Sequence, residues 1–140
     1  MQKVFIDTNI VLDWLGNRVP FHASAKDLFL KGESKEVEIL ISTMSFISTE
    51  YILRKQLGKE KTRLALSAIK DITTVCYSGE KVIMLAIFSA FSDFEDAFQY
   101  YTALENGAEF IITRDPKGFS LSEIPAISAE EFLKFHFKRS

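Results

Sequence analysis

Residues 92–115 read SDFEDAFQYYTALENGAEFIITRD, and the fold can be worked outward from them. Ser92 and Glu95 stand at capping-box spacing, which predicts a helix starting near Asp93. The helix should run to about Asn106, where Gly107 supplies the left-handed residue that ends it. Phe110-Ile111-Ile112 then form an unbroken apolar run, as expected of a strand covered on both faces, and Asp115 lies just beyond its carboxyl end. A helix that delivers its chain straight into a doubly buried strand is half of the repeating unit of a parallel sheet.

The same signature recurs elsewhere. Val4-Phe5-Ile6 is a second unbroken run, again followed by an acid, Asp7. Val37 to Ser42 and Ile72 to Cys76 are weaker strand candidates. Pro20 opens a helix that Gly32 closes, Thr43 to Leu57 reads as a helix ending before Gly58, and Ser128 with Glu131 makes a second capping box that starts a helix near Ala129. Alternating strands and helices predict an α/β fold: a three-layer α/β/α sandwich around a central, mostly parallel sheet. The 140 residues contain six Gly and three Pro, with no Pro/Gly/Ser-rich break, so residues 1–140 are expected to form a single domain.

Composition narrows the function classes. With 47% hydrophobic and 26% charged residues the chain is not disordered. The net charge of −2 cannot attract nucleic acid or an anionic membrane at long range, so an anionic substrate must be held locally. Charge is nevertheless uneven. Arg54 to Lys70 carries six basic residues and one acid, whereas Asp93 to Glu109 carries five acids and no base. Cys76 is the only cysteine, which excludes an internal disulfide and a multi-cysteine zinc site and suits a reducing compartment. No apolar run approaches the roughly 20 residues that span a bilayer, so a cytoplasmic location without membrane contact is expected.

The informative residues are acids where apolar side chains should be. On a helical wheel Glu50 falls on the arc of Phe46, Leu53 and Leu57, an expensive place for a charge. Asp96 shares a face with Tyr100, Ala103 and Gly107, and Asp93 points the same way one turn earlier. Asp7 and Asp115 each follow a buried strand, and in a parallel sheet those strand ends line the ligand crevice. Taken singly, Asp7 and Asp115 read as cap or turn residues, Asp93 as a first-turn acid that favours the helix dipole, and Glu50 as the partner of a Lys or Arg from elsewhere. Together they form a group whose mutual repulsion a hard divalent cation, Mg²⁺ or Mn²⁺, would relieve.

With these residues in view, the sequence resembles the PIN-domain family of metal-dependent ribonucleases, particularly the small VapC-type toxins. The resemblance rests on Phe5-Ile6-Asp7-Thr8-Asn9-Ile10, on Ser48-Thr49-Glu50-Tyr51-Ile52-Leu53, and on Asp93-Phe94-Glu95-Asp96-Ala97-Phe98 continuing to Ile112-Thr113-Arg114-Asp115. It implies that Asp7, Glu50, Asp96 and Asp115 are catalytic metal ligands, that Thr8 neighbours the metal, and that Asn9 ties the first loop by hydrogen bonds. It makes Asp93 an extra acid able to assist Asp96. Where relatives often carry a further acid, this chain has Gly118. Arg114 and Lys117 flank Asp115 and are expected to hold substrate phosphates. The implied function is endoribonuclease cleavage of RNA to a 5′-phosphate and a 3′-hydroxyl, by a toxin with an antitoxin partner that pairs as a homodimer.

Other readings stand beside it. A catalytically degenerate module on the same fold would bind RNA or protein with its acids as relics. A phospho-acceptor receiver would place a second acid beside Asp7, and a haloacid-dehalogenase-like phosphatase would have Asp where Asn9 stands; the chain has neither. His22 and His136 read as surface or packing residues, and Trp14 as packing beneath the first loop.

Overall fold

The computed structural model describes residues 1–139. Its centre is a five-stranded sheet in the order β3-β2-β1-β4-β5, built from β1 (Gln2–Ile6), β2 (Val37–Ser42), β3 (Thr74–Cys76), β4 (Phe110–Ile112) and β5 (Ala126–Ile127). Every pairing is parallel, so the sheet is the expected one with no antiparallel member. The helices are α1 (Thr8–Leu15), α2 (His22–Glu33), α3 (Thr43–Leu57), α4 (Lys59–Ile72), α5 (Glu80–Ile87), α6 (Phe94–Glu105) and α7 (Ala129–Glu131). A 3₁₀ turn occupies Pro116–Phe119, and α7 runs on into a π-helical turn at Phe132–His136.

Unbroken apolar strands feed two cores. Val4, Ile6, Ile39, Ile41 and Ile112 point to one face and pack with Val11, Leu28, Phe29, Ile69 and Phe132 from α1, α2, α4 and the C-terminal turn. Phe5, Leu40 and Ile111, one residue out of step, point to the other face and meet Tyr100, Ala103 and Phe119. This is the three-layer sandwich. Trp14 stacks on Phe29 with ring centroids 4.6 Å apart, on the edge of the first core.

Several boundaries differ from expectation for local reasons. Gly32 does not close α2 but lies within it, because a Cβ there would stand 2.5 Å from Ile39 Cδ1 of β2; the reversal is made at Lys35, with φ of 62°. The cap of α6 is Asp93 rather than Ser92, its carboxylate accepting from Asp96 N–H at 2.9 Å. The third strand begins at Thr74, since α4 continues through Ile72. Ser128 does cap as read, accepting from Glu131 N–H at 3.0 Å, and α3 spans Thr43–Leu57 as expected. Among the described residues no helix is long and apolar enough to cross a membrane.

Strand order positions the site. The chain lays down β1, β2 and β3 toward one edge, then returns to add β4 and β5 on the other side of β1. Crossovers therefore leave the β1–β4 junction in opposite directions, and the crevice at its carboxyl end is where open parallel sheets bind ligands. Ile6 pairs with Ile112, so Asp7 and Thr113 emerge side by side.

Candidate active site

A cleft of about 600 Å³ opens at this junction, its walls including Asp7, Thr8, Asn9, Asp93, Glu95, Asp96 and Asp115. Asp7 leaves β1 and caps α1: its Oδ1 accepts from Thr8 N–H at 2.9 Å, and its own N–H donates to Ile112 O at 2.9 Å. The Thr113 hydroxyl donates to Asp7 Oδ2 at 2.9 Å and accepts from Asp115 N–H at 3.0 Å, binding the two strand-end acids through one side chain. Asp96 arrives from the first turn of α6. A Cβ on Gly118 would collide with Asp96 Oδ2 and stand 3.5 Å from Asp115 Oδ2, so the bare backbone of the 3₁₀ turn makes room for both carboxylates.

Beneath the acids lies a buried polar floor that the sequence reading missed. Gln99 is fully buried, and its Nε2 donates to Thr8 Oγ1 at 3.3 Å and to Ser45 Oγ at 3.2 Å; those two hydroxyls are 2.8 Å apart. The bonds join α1, α3 and α6. Their sequence signal was present, since Gln99 is a polar residue three positions after Asp96 on a helix face that is otherwise core.

Charge is concentrated without compensation. No Lys or Arg is among the residues lining the cleft. Burial pushes Asp7 above the usual carboxylate range against the pull of bonds from Thr113, Thr8 and Gln99, with Asp115 adding repulsion. Asp96 is pushed up to about 7, first by burial and then by Asp93, Asp7, Asp115 and Glu95. Glu95, read from sequence only as the capping-box partner of Ser92, is raised by burial, Asp7 and Asp93.

The predicted residues divide clearly. Asp7, Asp96, Asp115, Asp93, Thr8 and Asn9 are brought together. Glu50 is not. It is half-buried on the Phe46 side of α3, its carboxylate 3.7 Å from Arg54, while Ile47, Ser48, Tyr51 and Ile52 present the cleft-facing side of that helix. Asn9 stands in the first turn of α1 on the cleft wall, and the loop is tied by Asp7 and Thr113 instead. Arg114 turns away from the cleft, its Nε 2.9 Å from Oδ2 of buried Asp13 and its guanidinium 4.4 Å from the Phe21 ring centroid. Lys117 is exposed in the 3₁₀ turn. Cys76 is buried, and burial raises its thiol to about 11, which removes it as a nucleophile.

The donor set is all oxygen, anionic and unbalanced, which suits a hard divalent cation. Among the described residues no three such side chains are drawn close enough to hold an ion as they stand. Asp7, Asp96 and Asp115 instead face one another across an open cleft.

The profile of the PIN domain matches residues 3–117, and the chain belongs to the PIN-domain family. It is 26% identical over 136 residues to Ribonuclease VapC1 of Aquifex aeolicus (strain VF5), covering 94% of this chain and 93% of that protein. Its fold is similar to Mycobacterium tuberculosis VapC20, described as a sarcin-ricin loop cleaving toxin, with TM-score 0.67 and 16% identity over 84% of this chain and 94% of that one. VapBC-1 of nontypeable Haemophilus influenzae gives TM-score 0.69 at 16% identity, covering 92% and 99%.

Proposed function

We propose that this chain is a metal-dependent endoribonuclease that hydrolyses RNA phosphodiester bonds, the toxin of a toxin–antitoxin pair acting in the cytoplasm. One observation carries the reading: Asp7, Asp96 and Asp115 converge from three elements on one cleft with no cation among its lining residues. The relative named as a ribonuclease supports the same chemistry. Asp7, Asp96 and Asp115 would hold Mg²⁺ or Mn²⁺, which when bound would activate water and stabilise charge at the attacked phosphate. Thr113 orients Asp7, and Asp93 fixes the first turn of α6 on which Asp96 rides. Glu50 is left out of this ligand set because its carboxylate faces Arg54. Products would be a 5′-phosphate and a 3′-hydroxyl. An antitoxin partner and a homodimer belong to the same proposal; the exposed Ile87 and Phe88 at the end of α5 are surface that such pairing would cover.

The test is a Mn²⁺ titration followed by thermal unfolding. Filling a site of the folded state at 100-fold over Kd stabilises by about 2.7 kcal/mol. Wild type should gain stability with metal and cleave RNA, and Asp96→Asn should do neither while being at least as stable without metal. No response from wild type, even with RNA present, would make the chain a binding module with relic acids.

A further inference from the structure

Thr113, Arg114 and Asp115 form a short loop with two sides. Thr113 and Asp115 serve the acidic cleft, the first through the hydroxyl that bonds Asp7 and the second as part of its wall. Arg114 faces the other way, into a second cavity of about 190 Å³ that Asp13 and Phe21 also line. There its Nε lies 2.9 Å from Asp13 Oδ2, with the guanidinium carbon 4.4 Å from the Phe21 ring centroid. Asp13 belongs to α1, the helix that Asp7 caps, and lies less than two turns beyond that cap. One loop is therefore tied to one helix twice, by Thr113 at its start and by Arg114 further along.

The pair is a poor stabiliser. Asp13 is 1% exposed, and burial pushes its carboxyl above the usual range against the pull of Arg114 and Arg18. Its Oδ1 has no hydrogen-bond partner among the described residues. An apolar pair of similar volume would serve stability as well or better, so the two charges call for another reason to be there. Gripping RNA is not that reason, because an Arg114 that reached for a phosphate would strand Asp13 as a buried, unpaired charge. Direction is what the pair supplies: a planar guanidinium held between a carboxylate and a ring has one orientation, and its backbone is the link between Thr113 and Asp115. We propose that the Asp13–Arg114 pair positions the metal site, fixing the loop against α1 so that the Thr113 hydroxyl and the Asp115 carboxylate meet Asp7. Arg114 is a positioning residue and touches neither the metal nor the RNA. The inference rests on the metal-dependent reading of the cleft.

The experiment is a double-substitution cycle read by two quantities, the unfolding temperature and the Mn²⁺ affinity, the latter from the paramagnetic resonance of free Mn²⁺ with no RNA present. Arg114→Met alone leaves Asp13 buried without its partner and should lower the unfolding temperature by about 10 °C or more. Asp13→Leu with Arg114→Met removes both charges and should restore the unfolding temperature. It should still bind Mn²⁺ about tenfold more weakly than wild type, the usual loss when a group that orients a ligand is removed. Arg114→Lys keeps the charge without the planar fork; it should fold as wild type does and lose part of the affinity. Wild-type affinity in the double variant overturns the proposal, and a raised KM for RNA would then make Arg114 a substrate contact. If the double variant does not fold, Arg114→Lys decides alone, wild-type affinity again overturning the proposal. Amide exchange at Asp115, whose N–H donates to Thr113 Oγ1, reads the loop without metal. A wild type that takes up no Mn²⁺ sinks the metal reading by itself. Faster Asp115 exchange in the double variant then still supports the clamp, and unchanged exchange overturns it.

Discussion

Asp7 shows how much one side chain can carry in this fold. It ends β1, caps α1, accepts the Thr113 hydroxyl and still faces the cleft, at 7% exposure. Thr113 is the residue that lets two strand-end acids share one polar contact, so Thr113→Val should leave Asp7 buried with one hydrogen bond fewer. A loss of about 1–2 kcal/mol in stability and a weaker Mn²⁺ response are expected, both read by thermal unfolding with and without metal. Gly118 sets a complementary limit. Gly118→Ala drives a methyl into the Asp96 carboxylate, and the apparent Mn²⁺ affinity should fall about tenfold, ~1.4 kcal/mol. Unaltered affinity would mean that Asp96 is not held where the 3₁₀ turn places it. Glu50→Gln, by contrast, should keep the wild-type metal response, because its carboxylate faces Arg54 rather than the cleft. Loss of that response would restore Glu50 to the ligand set.

At the scale of elements, the sequence was most legible where one residue had one job. Phe110-Ile111-Ile112 is apolar on both faces and is a central strand; Thr43–Leu57 has a cap, a clean span and a glycine, and is a helix. It was least legible where tertiary contact overrode a local signal. Gly32 reads as a helix stop, yet α2 passes through it because β2 brings Ile39 against that backbone. Gly32→Ala, which would favour an isolated helix, should therefore cost about 1–3 kcal/mol here through overpacking, measurable by denaturant unfolding; a gain in stability would refute that contact. Glu50 failed for a related reason. The wheel placed it correctly on the Phe46 side of α3, but that the cleft adjoins the Ser48–Tyr51 side depends on how α3 sits against α1, which no periodicity encodes. The Asp96 position needed only its own helix and the strand that follows, and it was read directly.

For the whole molecule, the arrangement amounts to carboxyls held out of water first and against one another second. Three elements are packed by two apolar cores so that their acids must approach, and the cost falls on protonation. With chelator present, a folded-state carboxyl raised to about 7 keeps its proton where the unfolded chain, near 3.8, has released it. The folded state thus binds more protons between about pH 4 and pH 7, and stability from this group falls as pH rises through that window, levelling off above 7. Asp7 and Glu95 are raised as well and act in the same direction. The full shift at Asp96 would convert to about 4 kcal/mol, but the group is partly solvated and screening reduces the effect to about 1–2 kcal/mol, a decline of roughly 3–6 °C in Tm between pH 5 and pH 8. Asp96→Asn should flatten most of that decline. Mn²⁺ should cancel it in wild type, since a bound cation favours the ionised carboxylates that pH 8 supplies. If metal-free wild type is instead more stable at pH 8 than at pH 5, or if Asp96→Asn keeps the full slope, burial and the neighbouring acids are not holding a proton on Asp96, and packing the acids around β1 and β4 has some purpose other than holding a cation.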